Sequence, residues 1–424
     1  MTVASALQRA PASLSIFSRC VSLALITVAL CVNGTDHDPV VDTSHLYEPT
    51  LYRTRWLVPL ANWDGEYFLH MASEGAYQEL HTTAFYPGYP WLMRLVKPPS
   101  LPLLETGLLL NVVLQFLACQ LLFRWVQRRA SERIATVACL LYCFGPNSVF
   151  QSALYNHNLF DCLCFGAACC LDGDSPWAAA TLGLLATVTR SNGLLFLFPL
   201  FFWTLFSSPI LYKKASISDF FVHWTSAAAQ ATAVVMPYIG LLGTGYEQFC
   251  AGGPGLRLES LPLDMLRGFS TFVYIVVKAP PPPATAFRDF CSSRWPSIYD
   301  YIQSEYWNVG FLSYWKFSKA DRFLAAAPVY ASVGLALRLH VSTRKQWVSV
   351  DTGHLLSSAL FTLILLMKFN VEIVSRALSS QPLVYLALAE FAISRPKHGR
   401  FLLFWAILLY IIGHFYFVWW MPFT

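Results

Sequence analysis

One polar passage stands out in an otherwise apolar chain because it concentrates acidic side chains. Residues 62–90 contain Asp64, Glu66, Glu74 and Glu79 between two long apolar segments. A carboxylate held at the boundary between water and lipid can act as a general base toward a hydroxyl group of a lipid-linked substrate. Alternatively, the Asp64 side chain caps the backbone amides of a helix that starts there. The passage therefore predicts either a site of proton transfer or a simple helix start.

The same passage has the periodicity of a helix that lies on a membrane. From residue 64 onward the apolar side chains share one helical face, which predicts an interfacial helix rather than a membrane-spanning one. Glu66 and Glu74 are expected on the opposite, solvated face. The apolar face consists of Tyr67, Phe68, Met71, Ala72, Gly75 and Ala76, and the polar face of Glu66, His70, Ser73, Glu74 and Tyr77.

The composition of the whole chain is that of a membrane protein. Its 424 residues are 56% hydrophobic and 12% charged, whereas soluble domains are about 25% charged. This balance argues against a soluble α/β enzyme. The formal net charge of +5 is ordinary for a protein with basic cytoplasmic loops, so no nucleic-acid partner is expected.

Apolar segments of membrane-spanning character recur along the chain and predict an all-α polytopic fold with about eleven transmembrane helices. The first segment is interpreted as an anchor rather than a cleaved signal peptide, because Val32-Asn33-Gly34 is a poor cleavage site. The predicted spans are residues 12–32, 103–123, 134–150, 153–171, 176–189, 193–209, 220–243, 322–338, 352–369, 381–394 and 401–420.

The basic residues of the short loops predict the orientation of this single transmembrane domain, residues 1–424. With eleven spans, the clusters fall on one side together with the N-terminus, and the positive-inside rule makes that side cytoplasmic. Two long loops, residues 33–102 and 244–321, and the C-terminus then face the lumen. Residues 264–283 stay open, since a true span there would invert everything downstream. The clusters are Arg124, Arg128, Arg129 and Arg133; Lys213 and Lys214; Arg338, Arg344 and Lys345; and Arg395, Lys397 and Arg400.

Two further patterns could carry chemistry. Asp172-Gly173-Asp174 matches a motif that holds a metal in many nucleotide-sugar transferases, but a tight Asp-Gly turn on the cytoplasmic side is the preferred interpretation, so no metal is predicted. Cys250 and Cys291 both lie in the long luminal loop. They are predicted to form a disulfide, with two free thiols as the alternative.

Four passages resemble the PIG-V family of mannosyltransferases of glycosylphosphatidylinositol (GPI) anchor assembly. The resemblance extends from about Leu51 to the C-terminal Met421-Pro-Phe-Thr424. Its most specific string is Tyr306-Trp-Asn-Val-Gly-Phe-Leu312. The passages are WDGEYFLHMASEGAYQE with AFYPGYP, TRSNGLLF, YIQSEYWNVGFLSYW and VSRALSSQPLVY.

The resemblance implies a GT-C type glycosyltransferase of the endoplasmic reticulum membrane with its site on the luminal face. The donor would be dolichol-phosphate-mannose, without a cofactor, and the acceptor the mannosyl-glucosaminyl-phosphatidylinositol precursor of the anchor. A second mannose would be added in α-1,6 linkage, with inversion. A small membrane partner subunit is possible. The alternatives are a dolichol-phosphate-mannose transferase with another glycan acceptor and a multi-span lipid transporter.

The resemblance also implies roles for individual residues. Asp64 would be the catalytic base. Arg376 would bind the leaving phosphate through a bidentate fork, with snorkelling to the headgroups as the alternative. Arg190 would contact substrate, although capping by Ser191 and Asn192 competes. Glu79 would bind a substrate hydroxyl or act as a second acid, with a solvated helix end as the alternative. Additional substrate contacts are expected from Asn192, Trp307 and Asn308.

This chain departs from the family pattern at two positions. It has His157 where the relatives carry an acidic residue, and Asn370 where they carry a histidine. Substrate contacts of these two residues are therefore not predicted.

Overall fold

The fold is a bundle of helices. A computed structural model of the protein describes residues 10–33, 51–208, 216–278, 289–343 and 350–419, and within these ranges the regular elements are helices, apart from a single β-bridge between Ala76 and Arg257. The expected all-α class is confirmed. Lys213, Lys214, Arg344, Lys345 and the C-terminal Met421–Thr424 lie outside the described residues.

The α-helices are numbered here in chain order. The first half contains α1 (Ala10–Asn33), α2 (Asp64–Glu74), α3 (Gly88–Val96), α4 (Leu103–Gln127), α5 (Glu132–Cys143), α6 (Ser148–Ser152), α7 (His157–Asp172), α8 (Pro176–Thr189) and α9 (Leu197–Phe206). The second half contains α10 (Ile217–Phe249), α11 (Leu261–Lys278), α12 (Asp289–Ser292), α13 (Ile298–Trp307), α14 (Ala320–Thr343), α15 (Val350–Lys368), α16 (Val374–Leu378), α17 (Pro382–Ser394) and α18 (Pro396–Val418). Short 3-10 helices cover Arg55–Ala61, Leu80–Ala84, Ser191–Phe196, Leu258–Ser260, Phe317–Lys319 and Val371–Ile373.

Each of the eleven predicted spans coincides with a helix or with a pair of short helices. Among the described residues, 7 helices are long and apolar enough to cross a membrane; six of them match predicted spans, and the seventh is Leu258–Lys278, in the segment whose crossing the sequence leaves open. Three shorter apolar helices, Pro176–Thr189, Ser191–Phe206 and Pro382–Ser394, cover further predicted spans. The protein is therefore a multi-pass membrane protein.

A cluster of charged side chains joins three helices at one end of the bundle. Arg129 donates to both carboxylate oxygens of Asp172, at 2.5 and 2.7 Å, and to Asp351 at 2.8 Å. Its guanidinium also lies 3.8 Å from the ring centroid of Trp125. The end of α4, the end of α7 and the start of α15 therefore meet at what we call the basic end. Because Asp172 is paired with Arg129, the Asp-Gly-Asp motif forms an ion-paired turn.

The first helix is an integral part of the bundle. Arg19 is buried, 5% exposed, and the acceptors of its guanidinium among the described residues are neutral groups. This buried cation is satisfied by hydrogen bonds, as intramembrane charges must be. Tyr410 of α18 also donates to the Ser18 carbonyl at 3.0 Å. These contacts support the interpretation of α1 as an anchor. The acceptors of Arg19 are the Ser18 and Ser152 hydroxyls, the Gln151 amide and the Ser148 and Cys143 carbonyls.

Helix α11, the segment that the sequence left open, runs parallel to the end of α10. Met265 packs against Gly240, and Gly268 against Gly243. One turn further on, Thr271 donates to Glu247. Residue numbers thus increase together in the two helices. A helix that recrossed the membrane directly beside α10 would be antiparallel to it, and the parallel packing of α11 is not of that kind, although its length and composition would allow a crossing.

Helices α7 and α8 are too short to fill the thickness of a bilayer. They contain 16 and 14 residues, which corresponds to about 24 and 21 Å, whereas the hydrocarbon core is about 30 Å thick. Both reach the basic end, because α7 ends there at Asp172 and Ser175 is the N-cap of α8. Their other ends therefore stop below the opposite surface, and the space above them holds the cavity described next. We call this the site end.

Candidate active site

A cavity at the site end brings together side chains that are far apart in sequence. Its volume is about 290 Å³. Five of the predicted site residues line it: Asp64, Arg190, Asn192, Trp307 and Arg376. The remaining wall is largely aromatic or amide-bearing, with Phe68, Phe85, Tyr86, Asn156, Tyr299, Gln303, Phe361, Phe369 and Asn370 among its residues.

The central feature of the cavity is an ion pair between Asp64 and Arg376. Arg376 Nη1 donates to Asp64 Oδ2 at 2.8 Å, and the Arg376 side chain is 22% exposed and the Asp64 side chain 33%. The predicted base and the predicted phosphate ligand are therefore direct neighbours, across 312 residues of sequence. Sequence reasoning placed both on the same side of the membrane but did not foresee this contact.

Asp64 is presented to the cavity by an unusual turn. The N-cap of α2 is Trp63, whose side chain makes no capping hydrogen bond, and Asp64 is the first residue of the helix. The hydrogen bond that the structure describes for the Asp64 carboxylate comes from Arg376, and the carboxylate is available to the cavity. Gly65 follows because α2 comes close to the turn after α6: a Cβ atom at this position would lie 3.2 Å from the Leu154 carbonyl oxygen.

Arg376 lies on the short helix α16, on the opposite wall. Its guanidinium carbon is 5.1 Å from the ring centroid of Phe150 and 5.8 Å from that of Tyr155. Burial acts to lower the pKa of Arg376, but the neighbouring Asp64 carboxylate outweighs it and raises this pKa above its ordinary value. The guanidinium is thus firmly charged and faces the open part of the site.

Arg190 brings a second positive charge to the cavity. It follows α8 in an extended conformation and lies 5.4 Å from the Phe160 ring centroid. Burial, together with the nearby charge of Arg376, lowers the pKa of Arg190 to about 10, so the side chain stays protonated at neutral pH. Two arginines and one aspartate leave this wall with a net positive charge, which favours an anionic ligand.

The alternative interpretation of this segment is helix capping by Ser191 and Asn192, and the structure shows other surroundings for both side chains. The Ser191 hydroxyl forms a hydrogen bond with the Tyr299 hydroxyl at 3.0 Å. The Asn192 Nδ2 is buried and has no hydrogen-bond partner among the described residues. An unpartnered amide in a polar cavity is costly unless a ligand completes it.

Helix α13 forms a roof over the cavity. Trp307 packs edge-on against Phe85, with ring centroids 5.8 Å apart, and Tyr299 packs against Tyr86 in the same way at 5.9 Å. In the structure Cys250 and Cys291 are joined by a disulfide that connects the end of α10 to α12, just before this roof.

We expect this disulfide in the native protein. Neither cysteine should react with an alkylating reagent until a reductant is added, and mass spectrometry of unreduced digests should find the two peptides linked. Closing a loop of this length stabilises the folded state by about 4 kcal/mol on the chain-entropy account. Alkylation of both residues without a reductant would show that packing alone orders the roof.

Two predicted substrate contacts lie outside the cavity lining. The Glu79 side chain is 62% exposed and pairs with His81 at 3.3 Å. Asn308 is exposed, with φ 52°, and ends α13 in the left-handed conformation that asparagine tolerates. The presence of Asn308 in the string Tyr306–Leu312 is therefore explained by its role in ending the helix as well as by a substrate contact.

The interfacial helix α2 differs from its prediction at one face. Glu74 is exposed as expected, but Glu66 is 2% exposed and Tyr77 5% exposed. The solvated face is narrower than predicted because the turn after α6 and the helices α3 and α4 cover this side of α2. A single-sequence pattern shows which residues share a face, but not how many neighbours cover it.

The two positions that depart from the family pattern have different surroundings. Asn370 lines the cavity, and its Oδ1 is buried without a hydrogen-bond partner among the described residues. His157 is 1% exposed and lies beneath the cavity, where its Nε2 is 3.0 Å from Asn147 Nδ2. Asn370 can therefore contact a ligand directly, whereas His157 cannot.

Sequence reasoning missed two functional candidates in Tyr155-Asn156-His157. Asn156 lines the cavity and donates to the Thr189 carbonyl at 2.9 Å. Tyr155 contacts the backbone of Asp64. The only signal in the sequence is a run of polar residues at the start of an apolar span, which is also what an ordinary helix start looks like.

Comparison with known proteins identifies relatives of the chain. The family described as Mannosyltransferase (PIG-V) matches residues 14–363. The GPI alpha-1,6-mannosyltransferase 2 of Cricetulus griseus is 31% identical over 69% of this chain and 60% of its own length. For the Homo sapiens protein of the same name the identity is 30%, with the same coverage. The GPI mannosyltransferase 2 of Drosophila pseudoobscura pseudoobscura is 27% identical over 84% of both chains.

The chain covers 60% of the length of the two mammalian relatives and 84% of the length of the insect relative. Among solved structures, the apo oligosaccharyltransferase of Archaeoglobus fulgidus aligns with a TM-score of 0.48 at 12% identity, over 98% of this chain and 56% of its own.

Proposed function

The chain belongs to the PIG-V family of mannosyltransferases, and from this membership we propose that it adds the second mannose to the GPI-anchor precursor. The donor is dolichol-phosphate-mannose, the acceptor is the mannosyl-glucosaminyl-phosphatidylinositol lipid, and the new linkage is α-1,6. The observation that carries the proposal is the Asp64–Arg376 pair beside Arg190 in one cavity at the site end.

The reaction needs one base and one anion-binding group, and the cavity offers both. The acceptor hydroxyl attacks the anomeric carbon of the β-linked donor mannose, and its proton passes to Asp64. The bond to the phosphate oxygen breaks on the opposite face, which inverts the configuration. The electron pair remains on the dolichyl phosphate, where Arg376 and Arg190 stabilise the growing negative charge.

The ion pair links these two roles. The Asp64 carboxylate accepts a hydrogen bond from Arg376 Nη1 at 2.8 Å. A donor phosphate is also an anion with a preference for guanidinium, so it competes with Asp64 for Arg376. Phosphate binding therefore frees the carboxylate for the acceptor hydroxyl, and loss of the phosphate restores the pair.

Aromatic side chains complete the environment. Phe68, Phe85 and Trp307 line the cavity and leave little room for bulk water around the anomeric carbon. Exclusion of water matters because water would compete with the sugar hydroxyl for the activated mannose. No metal takes part in this proposal. Asp172, the first acid of the Asp-Gly-Asp motif, lies at the basic end and is paired with Arg129.

The proposed location is the endoplasmic reticulum membrane, with the basic end in the cytoplasm and the cavity at the lumen. The charge distribution of the short loops supports this orientation. The lipid-linked donor and acceptor are the proposed partners, and a small membrane partner subunit stays a prediction of the sequence.

The orientation predicts the behaviour of engineered glycosylation sites. An acceptor site on a short extension after Thr424 should be glycosylated in cells, whereas one inserted at residue 213 should not. Gel mobility before and after removal of N-glycans measures both. Modification at residue 213 with a bare C-terminus would place the cavity on the cytoplasmic side.

The function itself is tested in cells that lack the protein. They should accumulate the GPI precursor with a single mannose, and re-expression should clear it. Accumulation of a different mannose-poor lipid would identify another acceptor for the same chemistry. An unchanged GPI pathway with lipids retained on one side of the membrane would favour the transporter alternative.

A further inference from the structure

We propose that Tyr155 is a positioning residue for Asp64: its hydroxyl holds the strained turn that presents the carboxylate. This inference rests on the proposed function in treating Asp64 as the base. Tyr155 is absent from the cavity lining. It acts on the reaction through Asp64.

The turn before Asp64 adopts a backbone conformation that bulky residues avoid. Trp63 has φ 62° and ψ −128°, in a region that is sparsely populated for residues other than glycine. Such residues persist only where the surroundings fix them, and they concentrate at functional sites. Something must therefore hold the two peptide units that flank Trp63.

The Tyr155 hydroxyl bridges these two peptide units. It accepts a hydrogen bond from the Asp64 N–H at 3.0 Å and lies 3.5 Å from the Asn62 carbonyl oxygen, to which it can donate. The Asp64 N–H is one of the first amides of α2, which have no partner within the helix. One hydroxyl thus satisfies the helix start and fixes both flanks of the strained residue.

Tyr155 is itself rigidly placed. It is 2% exposed, and Asn111 of α4 donates to the Ala153 and Tyr155 carbonyls at 2.6 and 3.1 Å. The Leu154 N–H donates to the Leu60 carbonyl at 2.7 Å, which joins this turn to the segment before Asp64. These hydrogen bonds connect the segment before Asp64 to the long helix α4 and so fix the position of Asp64 relative to it.

The ring of Tyr155 contacts the other member of the ion pair. The Arg376 guanidinium carbon lies 5.8 Å from its centroid, within the range in which an aromatic face attracts a cation. The same side chain therefore fixes the backbone of Asp64 and supports Arg376. Loss of the hydroxyl should loosen the carboxylate, while the ring that supports Arg376 stays in place.

Comparison of Tyr155→Phe with Tyr89→Phe separates this role from a merely structural one. Tyr89 is also buried, 0% exposed, and its hydroxyl donates to the Gly107 carbonyl at 2.9 Å, away from the cavity lining. Each variant loses one buried hydroxyl and keeps its ring, so thermal unfolding should shift to a similar extent in both. Only Tyr155→Phe should affect Asp64.

The expected result in purified full-length protein is a fall in kcat of about ten- to a hundredfold for Tyr155→Phe, with the KM for dolichol-phosphate-mannose changed less than about twofold. Tyr89→Phe should keep the wild-type kcat. Equal turnover in the two variants, or equal losses that follow thermal stability, would overturn the proposal.

Hydrogen–deuterium exchange provides a measurement that does not depend on activity. The peptide that contains Asp64 should exchange faster in Tyr155→Phe than in wild type and Tyr89→Phe, because its amide loses its acceptor. Unchanged exchange would overturn the role of Tyr155. If wild-type protein transfers no mannose, the proposed function fails, while the exchange comparison still decides whether Tyr155 holds Asp64.

Discussion

Asp64→Asn is expected to reduce mannose transfer by a factor of about 10² or more while the protein still folds. Asparagine keeps the size of the side chain and can still accept from Arg376, but it cannot take the proton of the acceptor hydroxyl. The ion pair is partly exposed on both sides, so its contribution to stability is small. Initial rates of the purified variant, measured at saturating donor, provide the test.

Glu74→Gln is the matched control for this variant, because Glu74 lies on the same helix and is exposed. It should keep the wild-type rate and the same thermal stability. Near-normal turnover of Asp64→Asn would exclude Asp64 as the base, and a comparable loss in Glu74→Gln would point to a general effect of charge on α2.

Arg376→Met is expected to lower kcat/KM for the donor by about a hundredfold or more. A charge-assisted hydrogen bond contributes about 1.5–3 kcal/mol, and a factor of ten in rate corresponds to about 1.4 kcal/mol. Loss of a bidentate contact to a phosphate that gains charge in the transition state therefore accounts for at least two powers of ten. Arg257→Met, an exposed arginine at the same end, should be without effect.

Binding of dolichyl phosphate shows whether Arg376 binds the phosphate or only forms the ion pair with Asp64. Because Asp64 and the phosphate compete for Arg376, the product should bind more weakly to Arg376→Met and more tightly to Asp64→Asn than to wild type. Equal affinity in wild type and Arg376→Met would show that the arginine only orients the carboxylate, and Arg190 would then be the main phosphate ligand.

The helices were predictable because each membrane span must satisfy its own backbone hydrogen bonds, which leaves a long apolar segment in the sequence. The exception was α11, whose apolar composition fits either a span or a helix against α10. Its direction depends on the contacts of Gly240 and Gly243 with Met265 and Gly268. Contacts between small residues of two helices leave no periodic signal in one sequence.

The site was predictable only as far as individual residues. The resemblance selected Asp64, Arg190 and Arg376, and the cavity contains all three. Their mutual arrangement was not accessible, because the ion pair joins segments more than 300 residues apart and depends on the short helices α7 and α8 that leave space above them. Glu79 and Asn308 lie in passages that resemble the family, and resemblance of a passage does not separate a turn or a solvated position from a substrate contact.

The role of Tyr155 had no sequence signal for a related reason. Its hydroxyl acts on the backbone of another segment, at Asp64 and Asn62, and any residue type can provide a backbone amide. The strained conformation of Trp63 is likewise invisible in a Trp-Asp-Gly string. Such contacts become apparent only when the chain is folded.

One measurement tests the central claim most directly: incubation of the purified protein with dolichol-phosphate-mannose and the one-mannose GPI precursor, followed by mass and linkage analysis of the lipid. The account predicts a two-mannose lipid whose new sugar is released by an α-1,6-specific mannosidase, formed by wild type and not by Asp64→Asn. Absence of transfer by well-folded wild-type protein, or equal product from both proteins, would contradict it.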